Sequence, residues 1–365
     1  MKKWFNVAIG IAVSAFFIYL SFRRVQPAEI LYSLKKADYI WIFPNMAIVI
    51  LTMIIRSVRW RYLLQNIKQF GIKRLFPSVM IGFMANNVLP ARLGEFIRAY
   101  SLGIKSGESR SSIFATVVIE RIFDSLALLA IFWLVIMFVP FPPAVKKFGV
   151  ITLAFNIFLI LFLIFLKQKG KKFIGGLMSF LSFLPARLSE RISHILTNFS
   201  EGLSIFNRTG ILGIVTLWSV ILWIITALSN YFIFMAFGMY PNVVASFILL
   251  LFVAAGVMLP SAPGFVGVFQ AAVVGAFIVM NQLGIMGYHL SPSRIEMTSI
   301  SIPAFFDMPA MGVGQYIDSL GLSGISKGEA LSFSIILWLS QYLPVTLLGL
   351  YYLKKEHLSL KKMEI

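Results

Sequence analysis

The sequence predicts an all-α, polytopic integral membrane helix bundle, with about six full spans plus two broken re-entrant helical hairpins related as an inverted repeat. Three observations predict it. Of 365 residues, 59% are hydrophobic and 13% charged, with a mean hydropathy of +0.88, whereas a soluble protein is roughly half apolar and about a quarter charged. A soluble fold of this length has too much surface to cover with so few polar groups. The apolar residues also come in runs long enough to cross a bilayer, which needs roughly 20 residues per helix. Finally, two of those runs are interrupted by Pro and Gly.

Taken in order, the full spans fall near 4–22, 39–55, 113–139, 148–166, 211–238 and 330–353. The first begins MKKWFN like a secretion signal, but its apolar stretch is longer than a signal core and has no small-residue cleavage site. It is read as an uncleaved helix. Segments 76–104 and 243–281 are apolar but broken in the middle. An internal Pro removes a backbone hydrogen bond that lipid cannot replace, so such breaks survive only inside protein or beside an aqueous cavity. Both breaks read Leu-Pro-x-x-x-Gly, at Leu89–Gly94 and Leu259–Gly264. Matching breaks in opposed hairpins are a common plan for a transporter's midplane site. Region 167–208 carries Leu188, Ile192, Ile195, Leu196, Phe199 and Leu203 at helical spacing, after a stripe of Leu177, Phe180, Leu181 and Leu184. This reads as a cytoplasmic amphipathic region at the interface. Region 282–329, with Pro292, Pro303 and Pro309, is a long outer loop. The whole chain, 1–365, reads as one transmembrane domain.

The net charge of +18 also marks nucleic-acid binders, but the Lys and Arg residues lie between the apolar segments, where they grip anionic headgroups instead. Loop 56–75 (Arg56, Arg59, Arg61, Lys68, Lys73, Arg74), region 167–208 (Lys167, Lys169, Lys171, Lys172, Arg187, Arg191, Arg208) and the tail (Lys354, Lys355, Lys361, Lys362) are basic. Placed inside, they put both termini in the cytoplasm and thread the six spans consistently. Arg23, Arg24, Lys35 and Lys36 then lie outside, against the rule. The compartment implied is the plasma membrane, or the inner membrane of a Gram-negative bacterium. No Cys is present, and His194, His289 and His357 are widely separated with no HExxH or HxH pattern, so no thiol chemistry, metal or other cofactor is expected. GxxxxGK[ST] is also absent, which removes ATP as a direct driver.

Charge at membrane depth is costly, so each such residue needs a reason. Arg92, Glu95 and Arg98 are spaced i, i+3, i+6 on the half-helix after the first break, which puts all three on one helical face. With the positive end of a half-helix beside them, they form an anion receptor suited to phosphate, or else a self-neutralising ladder at the interface. Glu120 and Asp124 flank Arg121 one turn apart. Two carboxylates against one Arg leave excess negative charge or a proton, for which Arg92 or Arg98 are the expected partners. A packing network and a proton or substrate relay both fit. Asn86 and Asn87 either satisfy backbone carbonyls freed by the break or hold a headgroup. In the second hairpin Pro260, Pro263, Gly264 and Gly267 shape the break, and Gln270 is the strongly polar side chain that follows. A neutral hairpin opposite a charged one suggests a polarised cavity. Arg56, Arg59 and Arg61 around Trp60 read as interface anchors.

The stretches Asn87–Arg98 (NVLPARLGEFIR), Glu120–Asp124 (ERIFD) and Leu259–Val268 (LPSAPGFVGV), with Arg59-Trp60-Arg61, resemble in sequence and order the lysylphosphatidylglycerol synthase transmembrane, flippase-like family. The resemblance covers essentially the whole chain. It implies a polytopic fold that moves polar lipids or lipid-linked sugars between leaflets. Three features depart from the family: an acid common in members near Gln270 is absent, the last span carries Trp338-Leu339-Ser340-Gln341 where members often have Arg, and region 282–329 is longer. The chain is expected to lack the soluble aminoacyl-transferase domain of some relatives.

The expected activity is transport of anionic or polar lipids between leaflets, not catalysis. The headgroup would be held at the first break by Arg92, Arg98 and the half-helix N-terminus. The alternative is a membrane-embedded enzyme or accessory factor acting on polyprenyl-phosphate-linked lipids. The expected partners are membrane lipids with anionic headgroups and no nucleic acid, with homo-oligomerisation left open.

Overall fold

The computed structural model describes residues 2–23, 25–89, 92–139, 143–180, 186–259, 261–283, 285 and 325–358. Pro90, Pro260, Arg24, Leu181, Leu184, Lys361 and Lys362 lie outside them, as does the 286–324 part of the expected outer loop with its three prolines and His289. Among the described residues all regular structure is helical, as expected of an all-α polytopic membrane bundle.

The helices in chain order are α1 (Lys2–Phe22), α2 (Pro27–Lys36), α3 (Ile42–Leu63), α4 (Ile72–Val88), α5 (Gly94–Ser106), α6 (Arg110–Ile136), α7 (Pro143–Phe180), α8 (Ala186–Gly202), α9 (Thr209–Ala236), α10 (Val243–Met258), α11 (Val268–Gln282) and α12 (Lys327–Lys355). Among the described residues five stretches are long and apolar enough to cross a membrane by length and composition: Tyr39–Leu63, Gly149–Gly170, Thr209–Ala236, Pro263–Gln282 and Lys327–Lys355. In two places this count parts from the sequence expectation, and the backbone follows the expectation. The stretch Pro263–Gln282 qualifies by count, but Gly264 (φ +75°) and Gly267 (φ +89°) interrupt it. What remains is the 15-residue α11, about 22 Å long, short of a hydrocarbon core of about 30 Å. Conversely, the expected span 113–139 is the continuous 27-residue α6, whose charged triplet Glu120, Arg121 and Asp124 lowers its apolarity. In α7 the non-helical backbone of Lys169 (φ −118°, ψ 17°) separates the apolar part from the amphipathic stretch that follows.

The chain divides into two compact units, each drawing parts of the long helices. One comprises Met1–Val49, Ile131–Gly149 and Ile224–Pro344. Its interior is apolar and aromatic, with the rings of Phe234, Phe277 and Phe333 4.8–5.8 Å apart, a geometry that favours offset and edge contacts. Polar bonds between its helices include Asn45 Nδ2 donating to the Ser229 carbonyl (2.8 Å) and Gln341 Nε2 to Asn230 Oδ1 (3.3 Å). Antiparallel α10 and α11 form the second hairpin in this unit. The chain enters its break at Leu259 in extended backbone and re-enters helix at Gly267, whose N–H donates to Gln270 Oε1 (2.7 Å).

The other unit comprises Ile50–Ala130, Val150–Trp223 and Val345–Ile365 and holds the first hairpin, α4 packed on α5. Close approach there depends on glycine. A Cβ on Gly94 would collide with the Gly82 carbonyl and the Asn86 side chain, and one on Gly82 would meet Arg98 Cβ at 2.7 Å. Ile81, Met84, Ala85 and Ile97 form the buried seam, covered by Leu89, Tyr352 and Leu353. Gly107, left-handed at φ +73°, ends α5, as glycine without a Cβ penalty commonly does.

Candidate functional site

The first break is built by its own side chains. The chain leaves α4 at Leu89 in extended backbone (φ −98°, ψ 147°), passes Arg92 in the left-handed region (φ +53°) and starts α5 at Gly94. The Gly94 N–H donates to Asn86 Oδ1 (2.8 Å), and Asn86 Nδ2 donates to Glu95 Oε1 (3.2 Å). Asn86 is therefore a cap, but for a backbone N–H of the following helix and not for freed carbonyls. Asn87 Nδ2 donates to Thr346 Oγ1 on α12 (2.9 Å). Arg92 precedes α5 instead of belonging to it, so the expected common face of Arg92, Glu95 and Arg98 does not form. Arg92 is exposed and Glu95 half-buried, while Arg98 is only 2% exposed.

Arg98 points into the helix bundle, where its Nη1 and Nη2 donate to the two oxygens of Glu120 at 2.9 and 3.0 Å. A planar guanidinium forking onto a carboxylate is the strong, orientationally specific form of an ion pair. Its Cζ also lies 3.8 Å from the Trp60 ring centroid, a cation–π contact. The pairing of Arg98 with Glu120 was expected. The rest of the network was not. Arg59, fully buried, places Nη1 2.5 Å from Asp124 Oδ1 and Nη2 3.0 Å from Glu120 Oε1, and its Nη1 also donates to Ser219 Oγ (2.7 Å). Arg56 reaches Asp124 Oδ2 at 3.4 Å with Phe83 and Trp223 rings 4.9 and 5.4 Å from its Cζ. Arg121 contacts Glu120 Oε1 (2.8 Å) and Asp124 Oδ2 (3.2 Å), its side chain 37% exposed. Trp223 Nε1 donates to Asp124 Oδ1 (3.2 Å).

Two expectations are corrected here. The segment from Arg56 is not a loop: α3 continues to Leu63, so Arg56 and Arg59 are helical and buried, and Arg61 is exposed. The triplet on α6 is not left with excess negative charge either. Arg56, Arg59, Arg98 and Arg121 converge on two carboxylates. The excess is positive. Arg56 and Arg59 could have been found by asking which basic residues, one turn apart within an otherwise apolar run, answer the unpaired carboxylates of α6.

In the other unit the break residues are held by neighbours. The Gly264 carbonyl accepts from Trp338 Nε1 (2.7 Å), and the Ala262 N–H donates to Ser14 Oγ (2.8 Å). At Gly267 a Cβ would run into the Ser14 carbonyl and Ile18 of α1. Gln270, 6% exposed, spends its side-chain oxygen on capping α11. Pro263 is exposed at the start of the short 3-10 turn.

Locally, then, the two breaks share one construction: an extended leucine, left-handed residues, and a buried or half-buried amide capping the next helix. Within its own unit, each hairpin has a different electrical character. The first carries converging charges, the second none.

The lysylphosphatidylglycerol synthase transmembrane-region model matches residues 7–287, from α1 to just past α11. A UPF0104 membrane protein of Methanothermobacter thermautotrophicus is 27% identical over 324 residues, covering 84% of this chain and 92% of that protein. A UPF0104 membrane protein of Pyrococcus horikoshii is 25% identical over 300 residues, covering 77% of this chain and 88% of its own length. The glycosyltransferase AglD of Haloferax volcanii is 25% identical over 126 residues, 34% of this chain and 20% of that protein. The chain, a multi-pass membrane protein, belongs to the lysylphosphatidylglycerol synthase transmembrane-region family.

Proposed function

We propose that this protein is a transporter, not an enzyme, and that it moves lipids with anionic headgroups between leaflets of the plasma membrane. The observation that supports this most is the surplus of guanidinium over carboxylate groups beside the first break. Unbalanced positive charge in a low-dielectric setting is expensive unless an anion completes it. In this reading Arg92 and Arg121, the members that reach the surface, contact the headgroup. Arg56, Arg59 and Arg98 are positioning residues that hold Glu120 and Asp124, and through them Arg121. The second hairpin, with Gly264, Gly267 and Gln270, carries no charge of its own, and the tails remain in lipid. The basic stretches at 61–74, in 167–208 and after 353 face the cytoplasm, with both termini inside.

The glycosyltransferase relative supports a neighbouring reading, in which the chain serves as an accessory factor or enzyme for polyprenyl-phosphate-linked lipids. Product formation by the purified protein with a polyprenyl-phosphate sugar donor would favour it.

Transport is tested in vesicles containing a fluorescent phosphatidylglycerol that is bleached from outside. Arg92→Gln and Arg121→Gln each remove a charge-assisted contact and are expected to slow flipping about tenfold or more. Flipping by the double variant at the wild-type rate, with equal protein incorporated, refutes the assignment.

A further inference from the structure

We infer that the site beside the first break is charged for a dianionic headgroup, a phosphomonoester or pyrophosphate, in preference to a monoanionic phosphodiester. The inference rests on the transport reading above and adds the class of headgroup. Four guanidiniums, those of Arg56, Arg59, Arg98 and Arg121, converge on two carboxylates, those of Glu120 and Asp124, while Arg92 at the break is matched in number by Glu95 three residues on. The surplus is two positive charges.

Glu120 and Asp124 are each shared among three guanidiniums. Glu120 Oε1 lies within 3.0 Å of Arg59, Arg98 and Arg121, and its other oxygen takes the second arm of Arg98. Asp124 serves Arg56, Arg59 and Arg121 and accepts from Trp223 as well. Glu95 accepts from Asn86 Nδ2 at 3.2 Å. The Nε–H of Arg121 is buried and meets no acceptor among the described residues. A phosphodiester would leave one positive charge uncompensated beside apolar helices, and a dianion would leave none. An extra charge a few ångströms away in a partly buried site is worth far more than the same charge in water.

The test uses full-length protein in phosphatidylcholine nanodiscs, with intrinsic tryptophan fluorescence as the readout because Trp60 and Trp223 touch the cluster. The probes are dihexanoyl phosphatidic acid, a monoester, dihexanoyl phosphatidylglycerol, a diester, and inorganic phosphate. At pH 8 the monoester is expected to bind about tenfold tighter than the diester. At pH 5, below a second phosphate pKa of about 6, that preference should vanish. The diester keeps its charge across this range and serves as the control. Arg121→Gln should bring the monoester-to-diester ratio near one at pH 8. Competition by inorganic phosphate equal to that of phosphatidic acid would support the charge assignment and name the free anion as ligand. Weaker competition would name the lipid. Equal monoester and diester affinities at pH 8 overturn the inference and leave the transport reading standing. No binding of any probe, together with flipping that is indifferent to Arg92 and Arg121, overturns the transport reading itself.

Discussion

Asp124→Asn isolates what the buried network contributes to stability. The substitution is isosteric, so packing is preserved while one negative charge disappears. The Asp124 carboxylate takes Arg59 at 2.5 Å, Arg121 at 3.2 Å and Arg56 at 3.4 Å, and it is 4% exposed. Removing it leaves Arg59 and Arg121 to crowd Glu120 and takes from Arg56 the carboxylate it faces. Breaking a buried pair by deleting one partner costs about 3–5 kcal/mol, because the remaining charge stays buried. A second deletion separates this from surface effects. Arg121→Gln removes a half-exposed partner and is expected to cost at most about 1 kcal/mol. The double variant returns the cluster to its wild-type net charge, so it should be more stable than Asp124→Asn alone; coupled sites of this kind deviate from additivity by about 0.5–3 kcal/mol. Equilibrium unfolding in mixed micelles with sodium dodecyl sulfate, followed by helical circular dichroism, reads all three. A loss below about 0.5 kcal/mol for Asp124→Asn, the range of ordinary surface changes, would mean that these guanidiniums do not depend on that carboxylate. The electrostatic account of the site would then fall.

Two further outcomes follow from the geometry. Gly94→Ala places a methyl group against the Gly82 carbonyl and should destabilise the first hairpin by about 1–3 kcal/mol and slow flipping. Gly267→Ala strains a left-handed residue beside α1 and should cost about the same, while a wild-type unfolding curve for either would refute the close packing. Since the chain has no Cys, single cysteines at Lys68 and Tyr32, beyond the two ends of α3, are simple orientation reporters. A membrane-impermeant maleimide added to intact cells should label Tyr32→Cys and spare Lys68→Cys. The reverse pattern would invert the proposed topology.

The second hairpin shows where a hydropathy count misleads. By length and composition Pro263–Gln282 could cross a bilayer, yet the positive φ values of Gly264 and Gly267 show that it does not run as one helix. The Pro and Gly spacing was the better guide, because those residue types restrict or free φ directly, whatever surrounds them. The charged residues behave in the opposite way. Glu120, Arg121 and Asp124 announced by their cost that partners must exist, and Arg98 was identified as one of them. Arg56 and Arg59 were read as interface anchors because a basic residue near a span end usually snorkels, and nothing within a turn of them shows otherwise.

From composition, run length and helix-breaking residues alone came the membrane setting, the helical fold, the two interrupted segments and the residues that are costly in lipid. These follow from local chemistry and the solvent, so a linear reading reaches them. Left to the tertiary structure were the continuation of α3 to Leu63, the capping of α5 by Asn86 and of α11 by Gln270, and the sign of the cluster. The helix end and the two caps turn on the exact local backbone conformation, and the sign on how helices distant in the chain are packed. The sign in particular turns on Arg59 meeting a carboxylate 65 residues along the chain, and electrostatic pairing depends on distance in space, not on separation in sequence.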